Sequence, residues 1–312
     1  MEQCRHQDAR SADARGFAHV WGATGAVGRF LLPLLRSSGM RVVAYSRQPQ
    51  PATTADDLVW RQADLQRVSL TWPDATPGSL ICAGPLDHFA DLLERIRIPP
   101  GTRVVCLSSL SAQWKWASVN AADAALATRL QAAEQRVLAR AEALGVDCCI
   151  LRCGLIYGAG VDRTLTPMRR LAARWRVLPW PAGARGLRQP VHAADIAQVI
   201  LHATTAERAP TGIHRLPGPE AVDWIEIWQR VLRTLQPSPR VVRIPDPALK
   251  GLLMWLVRRG EPWASRLSML QRVYEDQIAD GGDWHSFSVV PRCFHPTAED
   301  FGEGLHESKS TA

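Results

Sequence analysis

The sequence feature that most constrains the fold is a short segment, residues 22–28, with glycine at its first, fourth and seventh positions. An apolar run at residues 17–20 precedes it, and apolar residues recur at helical spacing from residue 30 to residue 35. A short apolar run is typical of a buried strand, whereas spacings of three and four are typical of a helix. The segment therefore predicts a strand, a glycine turn and a helix in direct succession.

The three glycines have different predicted roles. Gly22 allows a sharp turn at the end of the strand, Gly25 lets a pyrophosphate approach the backbone, and Gly28 lets the helix pack closely on the sheet. The helix N-terminus then offers N–H groups and a positive dipole end to the anion. The residues between the glycines complete the predicted binding segment: Thr24, Ala26 and Val27. The alternative is a glycine turn required by steric crowding alone.

A second predicted strand, residues 41–47, ends in Ser46 and Arg47. This is the place where a carboxylate would hold the ribose 2′-hydroxyl of NAD. A hydroxyl beside an arginine attracts a 2′-phosphate instead, so the sequence favours NADP(H) over NAD(H). In the alternative interpretation, Arg47 is a solvated residue at the end of a strand.

Further apolar runs alternate with helical patterns and predict four more strands: 58–60, 79–84, 103–107 and 147–152. Candidate cofactor contacts or catalytic serines follow three of them: Asp64 and Leu65, Ala83 and Gly84, and Ser108, Ser109 and Ser111. Asp64 and Gly84 are equally typical of ordinary turns. The alternation predicts an α/β fold with a doubly wound parallel sheet, a Rossmann fold, followed by a smaller and mainly helical C-terminal part.

Composition narrows the class of protein. The 312 residues are 46% hydrophobic, which is typical of a globular chain, and the net charge of +7 comes almost wholly from arginine, since the chain has three lysines. Seven cysteines show neither a C-x-x-C pair nor a metal-ligand spacing with the nine histidines, so we expect no metal and a reducing compartment. Residues 1–16 are polar and read as a flexible lead-in, and no apolar run is long enough to span a membrane. We expect a cytoplasmic protein.

Seven arginines and no acidic residue lie between Asp162 and Gln189. This segment fits a phosphorylated small substrate, a nucleic-acid backbone or a solvated helix face. Nucleic-acid binding is the least favoured, because no recognised module accompanies the arginines. A shorter apolar run, residues 249–257, indicates a core helix or a contact with a membrane surface.

Downstream, Pro190 to Ala197 opens another predicted helix, with Asp195 in its first turn. His192, just before that helix, is either a substrate contact or a polar residue bonded within the core. Residues 212–218 predict one more strand.

These motifs together resemble the extended short-chain dehydrogenase/reductase superfamily, the group of NAD-dependent epimerases and dehydratases, over residues 17–300. The matching segments are the phosphate loop 22–28, the fifth-strand serines 108–109, the Arg-Pro-Gly-x-Ile-Tyr-Gly segment at 152–158 and the Val-His-x-x-Asp motif at 191–195. The resemblance implies a nicotinamide cofactor over residues 17–160, with Arg152 and Gly154 among its contacts.

The resemblance also implies a domain division. Residues 17–160 and 189–218 would form the Rossmann domain, 161–188 and 219–303 the substrate-binding part, and 304–312 a flexible tail. The substrate would be a small molecule, such as a nucleoside-diphosphate sugar, held by Arg163, Arg188 and His192. A homodimer is compatible with this arrangement, whereas nucleic acid is not expected as a partner.

The sequence departs from the family at the catalytic positions. Counting back from Glu134 in the family helix, the usual Tyr-x-x-x-Lys pair falls on Leu126 and Leu130, which cannot transfer a proton, and both lie on the apolar face of the predicted helix. Leucine also occupies position 110, near an expected catalytic serine. The remaining candidate proton donors are Lys115, Ser109, Ser111 and Tyr157. Lys115 is equally well explained as a solvated loop residue.

Two functions therefore remain open. One is an atypical NADP(H)-dependent oxidoreductase or epimerase-like enzyme acting on a phosphorylated or nucleotide-linked small molecule. The other is a catalytically silent NADP(H)-binding subunit used for assembly or redox sensing.

Overall fold

A computed structural model describes residues 16–50, 55–67, 78–114, 121–248, 251 and 273–302. Several predicted features lie outside these ranges: the lead-in up to residue 15, Lys115, the 249–257 run apart from Gly251, and the tail 304–312. No helix within the described ranges is long and apolar enough to cross a membrane.

The strands, in chain order, are β1 Phe17–Trp21, β2 Arg41–Ser46, β3 Leu58–Gln62, β4 Gly78–Cys82, β5 Arg103–Ser109, β6 Asp147–Cys153, β7 Leu155–Tyr157, β8 Val177–Pro181, β9 Leu187–Arg188, β10 Pro190–His192, β11 Gly212–Leu216, β12 Val222–Asp223 and β13 Arg240–Ile244. The α-helices are α1 Ala26–Ser37, α2 Leu86–Arg95, α3 Ser111–Trp114, α4 Ala121–Leu144, α5 Leu165–Trp175, α6 Ala193–Thr205 and α7 Trp224–Arg233. Short 3₁₀ turns follow at Trp284–Phe287 and Glu299–Phe301.

Seven strands form one parallel sheet in the order β11-β6-β5-β4-β1-β2-β3. The predicted doubly wound sheet is therefore confirmed. The strand order reverses at β1, which pairs with β2 on one side and β4 on the other. In such sheets, ligands bind beyond the carboxyl ends of the strands at this reversal.

Two buried clusters cover the two faces of the sheet. Helices α1 and α6 pack on one face through residues such as Leu31, Leu35 and Ile196. Helices α2 and α4 pack on the other face through residues such as Phe89 and Val137. The apolar spacing in each helix explains why it presents one side to the sheet.

A third buried cluster forms the smaller part of the molecule. Helices α5 and α7 pack there with the two-stranded sheet of β8 and β13. The rings of Trp180 and Trp228 lie 5.7 and 5.6 Å from the ring of Trp224. This part contains the predicted helices, but the parallel β8–β13 pair was not predicted from the sequence.

The last described segment, residues 283–302, returns to the main sheet. Trp284 and Phe287 are buried in the cluster between the sheet and helices α1 and α6. The Trp284 indole N–H donates to the Pro217 carbonyl at 2.8 Å. Residues 284–287 thus join the core of the main sheet, whereas Phe294 and Phe301 join the third cluster.

Candidate functional site

The glycine loop connects β1 to α1 with no room for side chains at two positions. Gly22 has a φ of +77°, and a Cβ there would lie 2.6 Å from the Ala83 carbonyl. A Cβ at Gly28 would lie 2.4 Å from the Gly22 carbonyl oxygen. The turn is closed by the Gly25 N–H, which donates to the Gly22 carbonyl at 2.9 Å. Both glycines are therefore required by the backbone path.

The start of α1 has the properties of an anion site. Gly25 is the N-cap, has no side chain to satisfy the first N–H groups, and the first turn carries no acidic residue. The positive end of the helix therefore faces the carboxyl edge of the sheet without a protein carboxylate in its own first turn. A pyrophosphate fits this chemistry.

Next to the loop, Gly84 follows β4, and its lack of a side chain leaves space beside Leu65, which follows β3. A Cβ at Gly84 would meet the Leu65 and Cys82 side chains at 3.5 and 3.7 Å, which are ordinary contact distances. Asp64 closes a turn, because its Oδ1 accepts from the Gln66 N–H at 3.0 Å. Asp64 therefore stabilises a turn, and it also remains a candidate cofactor contact.

At the end of β2, Ser46 and Arg47 have different environments. Ser46 is buried, and its Oγ accepts from the Gln48 N–H at 3.2 Å and the Gln50 side chain at 3.3 Å. Arg47 is exposed. The Ser46 hydroxyl is thus bonded within the connection between β2 and β3. Arg47, at the carboxyl end of β2, is open to solvent.

A buried carboxylate joins the ends of β5 and β6. Glu134, on α4, is 1% exposed and accepts from Ser108 Oγ at 2.5 Å. Arg152 donates to its two oxygens at 2.9 and 2.6 Å. Sequence reasoning used Glu134 only to align the helix and missed this role. The Arg152 guanidinium, predicted as a cofactor contact, is engaged with Glu134.

The serines after β5 enter helix α3. The Ser109 Oγ accepts from the Ser111 N–H at 3.1 Å, and both residues are half-buried. The intervening Leu110 is fully buried. Gln131 on α4 donates to the Ala112 carbonyl at 2.7 Å, which fixes α3 against α4.

Leu126 and Leu130 lie two turns and one turn before Glu134, respectively, on the same side of α4. Both are half-buried, and within the described parts of the chain neither contributes to the three buried clusters. The buried packing of this helix comes from smaller residues such as Ala127 and Ala133. Within the described residues these leucines are thus half-buried and outside the three core clusters, which differs from the expected apolar packing at 126 and 130.

Tyr157 lies in the core at the end of β7. It is 1% exposed, and its ring meets the edges of His192 and Phe294 at centroid distances of 5.0 and 4.9 Å. Burial, followed by the nearby Asp300 carboxylate, raises the pKa of its hydroxyl. This environment favours a packing role over proton transfer.

His192 is buried at the start of α6. Its Nδ1 accepts from the Ala194 N–H at 3.1 Å, so its Nε2 carries the proton and donates to Asp300 Oδ1 at 2.8 Å. Three residues later, Asp195 accepts from the Arg292 N–H at 2.9 Å and from its Nε at 2.8 Å. The Val-His-x-x-Asp motif thus holds the C-terminal segment, as the polar core interpretation of His192 expects.

The residues predicted to hold substrate have different environments. Arg188 is buried, donates to the carbonyls of Leu187 and Glu275 at 2.7 Å, and lies 5.2 Å from the Trp224 ring. Arg163 is exposed. Gly154 packs against Gln189, whose carbonyl oxygen would be 2.6 Å from a Cβ. The guanidinium of Arg188 is engaged with backbone carbonyls, whereas Arg163 is exposed, so their predicted substrate role stays a prediction.

Two of the three comparisons with known proteins concern sequence. The model of the NAD dependent epimerase/dehydratase family matches residues 126–214. A 3-diazoavenalumate denitrifying reductase from Streptomyces sp is 28% identical over 277 residues, covering 76% of this chain and 87% of that protein. A ceramide reductase from Caulobacter vibrioides is 27% identical over 265 residues, covering 77% of each.

The third comparison concerns the fold. The structure of MoeE5 in complex with UDP-glucose and NAD superposes with a TM-score of 0.59 at 20% identity, covering 74% of this chain and 85% of that one. The family match covers less than a third of the chain, within the region where the motifs resemble this family, and the shared fold confirms the predicted Rossmann architecture.

Proposed function

We propose that this chain, an epimerase/dehydratase-like protein of the extended short-chain dehydrogenase/reductase superfamily, is an atypical NADP(H)-dependent oxidoreductase. The observation that carries the proposal is the glycine loop at the point where the sheet order reverses. The glycine backbone path, the uncapped start of α1 and the space beside Gly84 fit a dinucleotide. The names of both sequence relatives, which are reductases, support the oxidoreductase class.

The preference for NADP(H) rests on Arg47. Its exposed guanidinium lies at the carboxyl end of β2, the strand that pairs with the glycine-loop strand β1. A charge-assisted hydrogen bond contributes about 1.5–3 kcal/mol, so losing it weakens 2′-phosphate binding by about 10- to 100-fold.

The bound nicotinamide would supply or accept the hydride. The chain would position it through the ends of β5 and β6, where Ser108, Glu134 and Arg152 are bonded together. The proton needed for carbonyl reduction would come from Lys115, Ser109 or Ser111, which follow β5 in the sequence. The proposed substrate is a phosphorylated or nucleotide-linked small molecule, by analogy with the UDP-glucose bound to MoeE5.

Calorimetric titration with NADPH and NADH tests the cofactor proposal. Wild-type protein is expected to bind NADPH at least tenfold more tightly than NADH, and Arg47→Asp to abolish that difference while NADH binding is kept. Arg97→Asp, at another exposed arginine, is the control for the change in net charge. Absence of binding by either dinucleotide refutes the proposed function, and an unchanged preference in Arg47→Asp refutes the role of Arg47.

A second candidate function is a catalytically silent NADP(H)-binding subunit. It is favoured because Leu126 and Leu130 stand where the usual Tyr-x-x-x-Lys pair is expected. Turnover separates the two functions. Oxidation of NADPH by a panel of carbonyl compounds and nucleotide sugars, lost in Lys115→Ala or Ser109→Ala but with NADPH affinity retained, supports the enzyme. Tight NADPH binding without turnover on the whole panel supports the silent subunit.

A further inference from the structure

The small parallel sheet of β8 and β13 has one apolar face that none of the elements in the described ranges is seen to cover. Leu178 and Trp180 point into the third buried cluster, whereas Val177 and Val242 are 39% and 45% exposed. The register places Val242 beside Pro179, two residues from Val177, so both valines lie on the outer face of the pair. Parallel sheets are ordinarily covered on both faces, so this exposed face is unusual.

An exposed tryptophan lies close in sequence to this face. Trp175, at the end of α5, is 52% exposed and precedes Val177 by two residues. The Arg240 N–H bonds to the Arg176 carbonyl at 3.3 Å, which holds the beginning of β13 beside the end of α5. We call the surface of Trp175, Val177 and Val242, with Arg174, Arg176 and Arg240 around it, the β8–β13 outer face.

The charge around the outer face is mainly positive, with Asp246 beside the end of β8 as a nearby acidic residue. Residues 163–188 and 227–245, which build it, contain eleven arginines and no aspartate or glutamate. Eight of these arginines are exposed: 163, 170, 174, 176, 185, 233, 240 and 243. Arg169 and Arg188 are buried, and Arg230 is paired with Glu220 and Glu226. The surface therefore has an apolar centre and a strongly basic surround.

We propose that the β8–β13 outer face docks on an anionic lipid bilayer. Tryptophan is enriched at the membrane–water interface, and arginine can bury its aliphatic stem while its charge meets lipid phosphates. A nucleic-acid backbone would satisfy the arginines but would offer no acyl region for the exposed valines. Each arginine near an anionic surface contributes about fivefold to the partition coefficient. The inference does not depend on the cofactor proposal.

Sedimentation with sucrose-loaded vesicles tests the docking. The full-length protein is expected to bind phosphatidylcholine vesicles containing phosphatidylglycerol, to lose binding as salt rises, and not to bind pure phosphatidylcholine. Arg174→Gln combined with Arg240→Gln should weaken binding about 25-fold, from two losses of about fivefold each. Trp175→Ser should weaken it roughly tenfold, through the loss of inserted apolar area.

Matched controls separate docking from charge and folding effects. Arg97→Gln combined with Arg208→Gln removes two exposed arginines elsewhere, and Val290→Ser changes a residue that is 91% exposed. Both should bind vesicles like the wild type, and circular dichroism should show that all variants are folded. Equal loss in the controls, or no binding to anionic vesicles, overturns the proposal. The proposal is also overturned if a nucleic-acid duplex binds tightly and displaces the protein from vesicles. The same holds if the protein is a dimer that Trp175→Ser dissociates.

Discussion

His19 gives this fold a predictable loss of stability in mild acid. It lies in β1, 1% exposed, with Nδ1 2.9 Å from the Tyr45 hydroxyl. Burial, and secondarily the positive charge of Arg61, lowers the pKa of His19 from 6.5 to about 4. In the unfolded chain the imidazole takes up a proton below pH 6.5, whereas in the folded protein it stays neutral down to about pH 4. The unfolded state therefore binds more protons in this window, and stability falls as the pH falls.

The magnitude follows from the two pKa values. The free energy of unfolding changes by up to about 1.4 kcal/mol per pH unit while one proton separates the two states. Between pH 7.5 and pH 5.0, a shift from 6.5 to about 4 costs about 2 kcal/mol. Asp57 and Asp300 have pKa values below their ordinary range, so their contributions are lost mainly at lower pH.

Urea unfolding at the two pH values, followed by circular dichroism, provides the assay. We expect His19→Gln to be less stable than wild type at pH 7.5 but to lose about 2 kcal/mol less on acidification. His295→Gln, at an exposed histidine, is the control and should follow the wild type. If His19→Gln and wild type lose the same free energy between these pH values, the assignment of the low pKa to His19 is wrong.

Four further substitutions test the site and its support. Glu134→Gln removes the charge that Arg152 and Ser108 contact, and should lower the free energy of unfolding by about 3 kcal/mol in urea titrations. Asp195→Asn weakens its bonds with Arg292 and should cost about 1–3 kcal/mol, measured in the same way. Gly28→Ala should lower the melting temperature sharply, because the added Cβ would lie 2.4 Å from the Gly22 carbonyl oxygen. Gly84→Ala should leave the melting temperature unchanged but weaken NADPH binding in calorimetry, since the added methyl would enter the space left for the cofactor.

The doubly wound sheet was predictable because its signals are local. The glycine turn, the apolar strand runs and the helical spacing after residue 30 each lie within a few neighbouring residues. The structure places the ends of β1 to β5 along one edge, as the alternation of strands and helices implies. The β8–β13 pair was missed because its two strands are far apart in sequence and β8 contains two prolines, which argue against a strand.

The substrate residues could not be placed from sequence for a different reason. The roles of His192 and Asp195 depend on Asp300 and Arg292, about a hundred residues later, and no local pattern shows that the chain returns there. The burial of Arg188 likewise depends on Glu275 and Trp224. The network of Ser108, Glu134 and Arg152 was accessible in principle, since a glutamate facing a predicted strand end requires a partner.

The return of residues 283–302 to the main sheet affects how the protein is made. A ribosome releases the seven sheet strands well before Trp284 and Phe287, which complete the packing between the sheet and helices α1 and α6. The nascent Rossmann half would therefore expose part of its apolar surface until residues 284–287 have been made. A fragment ending at residue 218 would keep that surface exposed, so expression of the cofactor domain alone should include the C-terminal segment.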